Sequence, residues 1–108
     1  MATGDDLRRL ALALDGTVEV PHFDRAAFKV SRIYVTLAPD GCSANFCFSP
    51  EDQEFRCLMA PDALSPVSNA WGRRGWTTAD LSRLSLAELA GALEAAWRLG
   101  AQKKPRRR

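Results

Sequence analysis

Residues 26–49 read AAFKVSRIYVTLAPDGCSANFCFS, three short runs of alternating character divided by two brief links. In AAFKV (26–30), Phe28 and Val30 flank Lys29; in IYVTLA (33–38), Ile33, Val35 and Leu37 alternate with Tyr34 and Thr36. In SANFCFS (43–49), Ala44, Phe46 and Phe48 alternate with Asn45 and Cys47. Successive side chains of a strand point to opposite faces, so this period of two predicts strands with one apolar face each. The links, SR at 31–32 and PDG at 39–41, are of hairpin length, and Asp40-Gly41 is a strong turn signal. A parallel crossover needs on the order of a dozen residues, so the stretch is an antiparallel meander.

Helical periodicity flanks the meander. DDLRRLALAL (5–14) places Leu7, Leu10, Ala11 and Leu14 on one helical face, with Asp5 or Asp6 as cap and Gly16 as stop. TVEVPHF (17–23) reads as an extended lead-in segment in which Pro21 marks an edge or a bend. SPEDQEFRCLMAP (49–61) starts a helix with Ser49 as cap, Pro50 in the first turn and Glu51 and Asp52 at the positive end of the dipole. Its apolar stripe is Phe55, Leu58 and Met59, and Pro61 closes it. After the short segment ALSPV (63–67), WGRRGWTT (71–78) leads into a strand ending near Leu81. Ser85 and Glu88 form a capping box, with Leu84 and Leu89 as its hydrophobic staple, and the helix carries Leu89, Leu93, Ala96 and Trp97 inward to a stop at Gly100. The order α-β-β-β-α-β-α predicts an α+β two-layer sandwich, an antiparallel sheet with helices packed on one face. Residues 1–102 are expected to form a single domain, and KKPRRR (103–108), which has no apolar anchor, a basic disordered tail.

Composition narrows the function classes. The 108 residues are 46% hydrophobic and 26% charged, as in ordinary globular chains. No apolar run approaches the roughly 18–20 residues that cross a bilayer, and MATGDDLRRL lacks the basic-then-apolar pattern of a secretion signal. A cytoplasmic protein with no membrane partner is therefore expected. Cys42, Cys47 and Cys57 form no CxxC pair and the chain has one histidine, so no metal and no cofactor are expected, and the cysteines read as small buried apolar residues. The formal charge of +2 conceals a division: five of the fifteen Lys and Arg residues lie in the tail, which leaves residues 1–102 with ten bases against thirteen acids, a balance of −3.

Two readings fit WGRRGWTT. As a wing, it offers arginines to phosphates and an indole to a base; guanidinium matches phosphate geometry, and base–aromatic stacking contributes about 1–3 kcal/mol per base. As architecture, Gly72 and Gly75 make the turn, Trp76 points inward and Trp71 packs over the loop. Arg73 and Arg74 then project from a hairpin tip. Arg25, Lys29 and Arg32 lie on the first hairpin, so the two groups can form a basic patch across two hairpins; Glu19, Asp24 and Asp40 nearby would dilute it. Lys103 and Lys104 add a tail that binds polyanions through counterion release. His22, between Pro21 and Phe23, reads as a hydrogen-bonded structural residue, since no nucleophile pattern accompanies it. No phosphate-cradling lysine loop, HExxH or paired-carboxylate motif is present, so an enzyme is not expected.

Six segments in order, PHF (21–23), RAAFKV (25–30), LAPDG (37–41), SPEDQ (49–53), AWGRRGWTTADL (70–81) and AWRL (96–99), resemble the MmcQ/YjbR family of small bacterial proteins over residues 5–104. Asp24 stands where that family commonly has glycine and Ala26 where it has proline. The resemblance implies an α+β fold of YjbR type, laid out like secretion-chaperone two-layer sandwiches, and a double-wing arrangement of hairpins that binds DNA. The expected function is non-enzymatic DNA binding by Arg25, Lys29, Arg32, Arg73, Arg74, Lys103 and Lys104, in a monomer or weak dimer. The alternative is a chaperone-like protein-interaction module that holds a partner segment at a sheet edge or apolar groove. A small-molecule enzyme would need His22 in a pocket with a perturbed partner.

Overall fold

The structure, a computed structural model, describes residues 1–102. The elements run α1 (Gly4–Leu12), β1 (Val18–His22), β2 (Arg25–Lys29), β3 (Ile33–Leu37), β4 (Ser43–Cys47), α2 (Pro50–Met59), β5 (Leu64–Pro66), α3 (Ala70–Arg73), β6 (Trp76–Asp80), a 3-10 turn (Leu81–Arg83) and α4 (Leu86–Ala101). The strands form one sheet, ordered β1-β2-β3-β4-β6-β5, with every neighbouring pair antiparallel. The α+β architecture and the meander are as the sequence predicts. Of the two readings of the lead-in segment the edge holds: Val18–His22 pairs with β2 along its length as an edge strand. ALSPV supplies a second edge strand, and AWGR (70–73) forms a short helix, capped by Arg74, instead of a hairpin tip. Lys103, Lys104 and the rest of the tail lie outside the described residues.

The core lies between the sheet and the helices. Phe28, Val35, Leu37, Ala44, Phe46 and Ala79 face Leu7 and Ala11 of α1 and Leu89, Leu93 and Ala96 of α4. α4 lies across β3 and β4, with α1 beside it. Each large side chain buried there contributes about 1.5–3 kcal/mol.

A bulge adjusts this face. Phe28 pairs with Val35 but Lys29 with Ile33, which leaves Tyr34 as the extra residue. An extra residue breaks the alternation locally. Tyr34 joins Val35 on the helix side, where its hydroxyl donates to the Ala11 carbonyl at 3.4 Å and lies 2.8 Å from the Thr17 hydroxyl. Ile33, expected beside Val35 and Leu37, turns to the opposite face.

Helix ends depart from expectation where a better hydrogen bond is available. α1 is capped by Thr3, not by Asp5 or Asp6: the Thr3 hydroxyl accepts from the Asp6 N–H at 3.1 Å, and the Asp6 carboxylate accepts from the Thr3 N–H at 3.0 Å. Gly100 is not the stop of α4. It lies inside the helix, where a Cβ would meet Tyr34 Cβ at 3.0 Å, so the glycine permits close packing on β3.

α2 begins at Ser49 and Pro50 as predicted, but its stripe is reversed. Phe55, Leu58 and Met59 are 60, 76 and 68% exposed, while Gln53, Cys57 and Ala60 turn inward. The Gln53 amide donates to the carbonyls of Gly72 at 2.9 Å and Trp76 at 3.0 Å, and these bonds set the helix rotation against its apolarity. Cys42 is exposed at the β3–β4 turn, contrary to the expectation of three buried cysteines; Cys47 and Cys57 are partly buried.

Candidate functional site

Helices α1 and α4 occupy one face of the sheet, and the other holds a cleft of 460 Å³. Volumes of about 300–1,000 Å³ are typical of ligand sites. Thr36 and Asn45, paired across β3 and β4, form its floor. The Arg25 guanidinium donates to the Thr36 hydroxyl at 2.9 Å and to its carbonyl at 3.3 Å, while the Thr78 hydroxyl donates to Asn45 Oδ1 at 3.0 Å. Among the described residues, Asn45 Nδ2 and Arg25 Nη1 have no protein acceptor. Ile33 and Trp76 complete the base of the cleft.

Two walls rise from this floor. The first is the β1–β2 turn, in which Phe23 and Asp24 connect His22 to its partner Arg25. Such two-residue turns usually place glycine or asparagine at positive φ. Here Phe23 has φ +59° and is 94% exposed. The His22 ring stands edge-on to Phe23, 4.9 Å between centroids. His22 makes no side-chain hydrogen bond among the described residues, so the expected structural role is replaced by an aromatic contact beside the cleft.

The second wall is Val67, Asn69 and Trp71 at the start of α3. Asn69 Oδ1 accepts from the Trp71 N–H at 2.9 Å and starts the turn. Both glycines of the motif are architectural. A Cβ at Gly72 would collide with the Val67 carbonyl, and Gly75, at φ +106°, lies against the Phe48 carbonyl. Trp76 does not point into the core. Thr77 and Ala79 do, because β6 pairs Thr77 with Phe46 and Ala79 with Ala44. Trp71 does not pack closely over its loop: it is 54% exposed, with the Arg74 guanidinium 5.1 Å from its ring centroid. Arg73 and Arg74 are solvent-exposed as expected, but they end a helix.

The expected cations share a further property. Residues 1–102 contain ten lysines and arginines. Arg8, Arg9, Arg56, Arg83 and Arg98 each pair with a carboxylate. Arg25, Lys29, Arg32, Arg73 and Arg74 have no carboxylate partner among the described residues. Arg25 lines the cleft, Lys29 pairs opposite Ile33 of its base, and Arg74 covers Trp71. Arg32 is at the sheet end, where it donates to the Leu99 carbonyl at 2.7 Å and acts electrostatically on Cys47. Glu19, expected to dilute this charge, points to the helix side and pairs with Arg8 at 3.0 Å.

Other features offer less chemistry. A wider groove of 1,220 Å³ beside the start of α1 carries Asp5, Glu19, Asp24, Asp40 and Asp80 against Arg8 and Arg25, the wrong balance for an anionic ligand. Burial pushes the Cys47 and Cys57 thiols up, away from the reactive thiolate. Among the described residues, no group of three or more His, Cys, Asp or Glu could hold a metal ion, and no helix is long and apolar enough to cross a membrane.

The sequence predicts the cations but carries no signal of the cleft as a whole. Phe23, Ile33 and Asn45 lie outside the expected site, and Trp71 enters it only through the wing reading of WGRRGWTT. An apolar residue within the tight PHFDR turn (21–25) was the available signal for Phe23. Ile33 was hidden by the bulge, which is a property of pairing.

The YjbR family model matches residues 12–99. The crystal structure of Deinococcus radiodurans protein DR2400, a DUF419-domain protein, resembles this one with a TM-score of 0.80 at 24% identity, over 95% of this chain and 81% of that chain. That likeness is one of fold. No curated protein matches the sequence.

Proposed function

The chain belongs to the YjbR family, and from that premise we propose that it is a non-enzymatic protein that binds nucleic acid on the open face of its sheet. The carrying observation is the division of cations: five are neutralised by carboxylates, and the five without such partners include those around the cleft. Polyanion binding draws its strength from cations that give up counterions, and an arginine already held by a carboxylate contributes little. The cleft lining contains no carboxylate. The −3 balance of residues 1–102 weighs less on this face than on the groove beside α1, which Asp5, Glu19, Asp40 and Asp80 line; Asp24, in the β1–β2 turn, and Arg25 border that groove as well. Free cysteines accord with a reducing cytoplasm.

The test is a fluorescence-anisotropy titration of labelled DNA at two salt concentrations, with the full chain and with residues 1–102. The expected result is salt-sensitive binding that survives removal of the tail and weakens at least tenfold in Arg73→Ala/Arg74→Ala. Binding that disappears with the tail would rule out the sheet face.

A second reading has one observation in its favour, the exposed Phe55, Leu58 and Met59 stripe of α2. Such a stripe suits a partner helix or groove. Strand addition suits this sheet poorly, since Pro21 and Pro66 interrupt both edge strands.

A further inference from the structure

Resting on the nucleic-acid reading above, we infer that the open face takes single-stranded nucleic acid, with unpaired bases stacking on Phe23 and Trp71 and phosphates following Arg25, Lys29 and Arg74. The aromatic side chains motivate this choice. Phe23 is 94% exposed and adopts a positive φ, a conformation that bulky residues rarely hold. Neither packing nor backbone preference accounts for phenylalanine at that position. Backbone strain of this kind is concentrated at functional sites. Trp71 faces it across the same cleft, and the guanidinium of Arg74 already covers the indole. Aromatic walls with cations alongside form the stacking platform and charged track of single-strand binders.

A duplex would leave these features unused. It keeps its base faces stacked inside and presents edges and phosphates to a helix or ribbon that enters the major groove. This face is a recess, and α3 beside it is four residues long. An unpaired base can enter the recess flat against an aromatic ring. On the floor it would meet the N–H donors of Asn45, which suit the oxygen and nitrogen acceptors of a base edge.

The experiment uses the full chain with three labelled probes: a single strand of about 12 nucleotides, within the usual footprint of such sites; its duplex; and an abasic strand with the same phosphates. The single strand should bind at least tenfold tighter than either of the others. Phe23→Ala and Trp71→Ala should each weaken single-strand binding roughly 5- to 100-fold while changing duplex binding less than twofold. Phe23 lies in solvent, so its variant tests stacking without threatening the fold. Tryptophan emission gives a second readout: Trp71 and Trp76 should be quenched, whereas Trp97, whose indole N–H donates to the Asp15 carbonyl at 2.9 Å away from the cleft, should not. A duplex bound as well as the single strand, or an abasic strand bound as well as the intact one, would overturn base stacking and leave nucleic-acid binding standing. Failure of all three probes would overturn both readings.

Discussion

At the scale of single residues, identical substitutions have opposite signs according to backbone geometry. Gly75 has φ +106° and lies against the Phe48 carbonyl, so a methyl group there meets strain and collision together. Gly75→Ala should cost more than about 2 kcal/mol, seen as a lower urea midpoint with an unchanged slope. Gly91 is within α4 and a Cβ there meets nothing within 4 Å. Gly91→Ala should stabilise by about 1 kcal/mol through helix propensity alone. Phe23 separates stability from function. Asparagine tolerates the left-handed region better than phenylalanine, so Phe23→Asn should raise the Tm while weakening single-strand binding. A variant that loses both would show that Phe23 serves the fold.

At the scale of elements, caps and helix faces decide the outcome. Hydrogen bonds from Thr3, with a contribution from Arg9, hold the Asp6 carboxyl below its ordinary value of 3.8. A depressed carboxyl contributes stability above its unfolded value and loses it as pH falls through the lower folded value. The Tm difference between the native chain and Asp6→Asn should therefore be full near neutrality and shrink below pH 3.8. α2 offers the opposite case. Its outward Leu58 touches little, so Leu58→Lys should change stability by less than about 0.5 kcal/mol in thermal melts. It should abolish any complex that uses the Phe55, Leu58 and Met59 stripe. The cations were legible in the sequence because charge is carried by residue type. Orientation was not: the helical spacing of Phe55, Leu58 and Met59 was visible, but the bonds from Gln53 to Gly72 and Trp76 turned that stripe outward.

At the scale of the whole molecule, the net charge conceals a spatial division. Glu19 pairs with Arg8 on the helix side of the sheet, while the opposite cleft is lined without carboxylates. Three phosphate contacts on a single strand, from Arg25, Lys29 and Arg74, predict a slope of log K against log salt of about −2 for residues 1–102. Arg73→Ala/Arg74→Ala, which removes the Arg74 contact, should bring it to about −1.4. Titrations across a salt series check both values, and an unchanged slope in the double variant would remove α3 from the interface.

The sequence by itself determined the strand meander, the helices α1, α2 and α4, the capping residues of α2 and α4 and the inventory of cations, because period, turn chemistry and charge are local properties; which cations stay unpaired was a tertiary outcome. Tertiary structure decided which face each side chain took. The Tyr34 bulge moved Ile33 to the open face, and β6 register directed Thr77 and Ala79 inward and Trp76 outward. Gly100 became a packing contact instead of a helix stop because Tyr34 lay beneath it. Register and helix rotation depend on partners distant in the chain, so the cleft, unlike the strands that bear it, has no local signature.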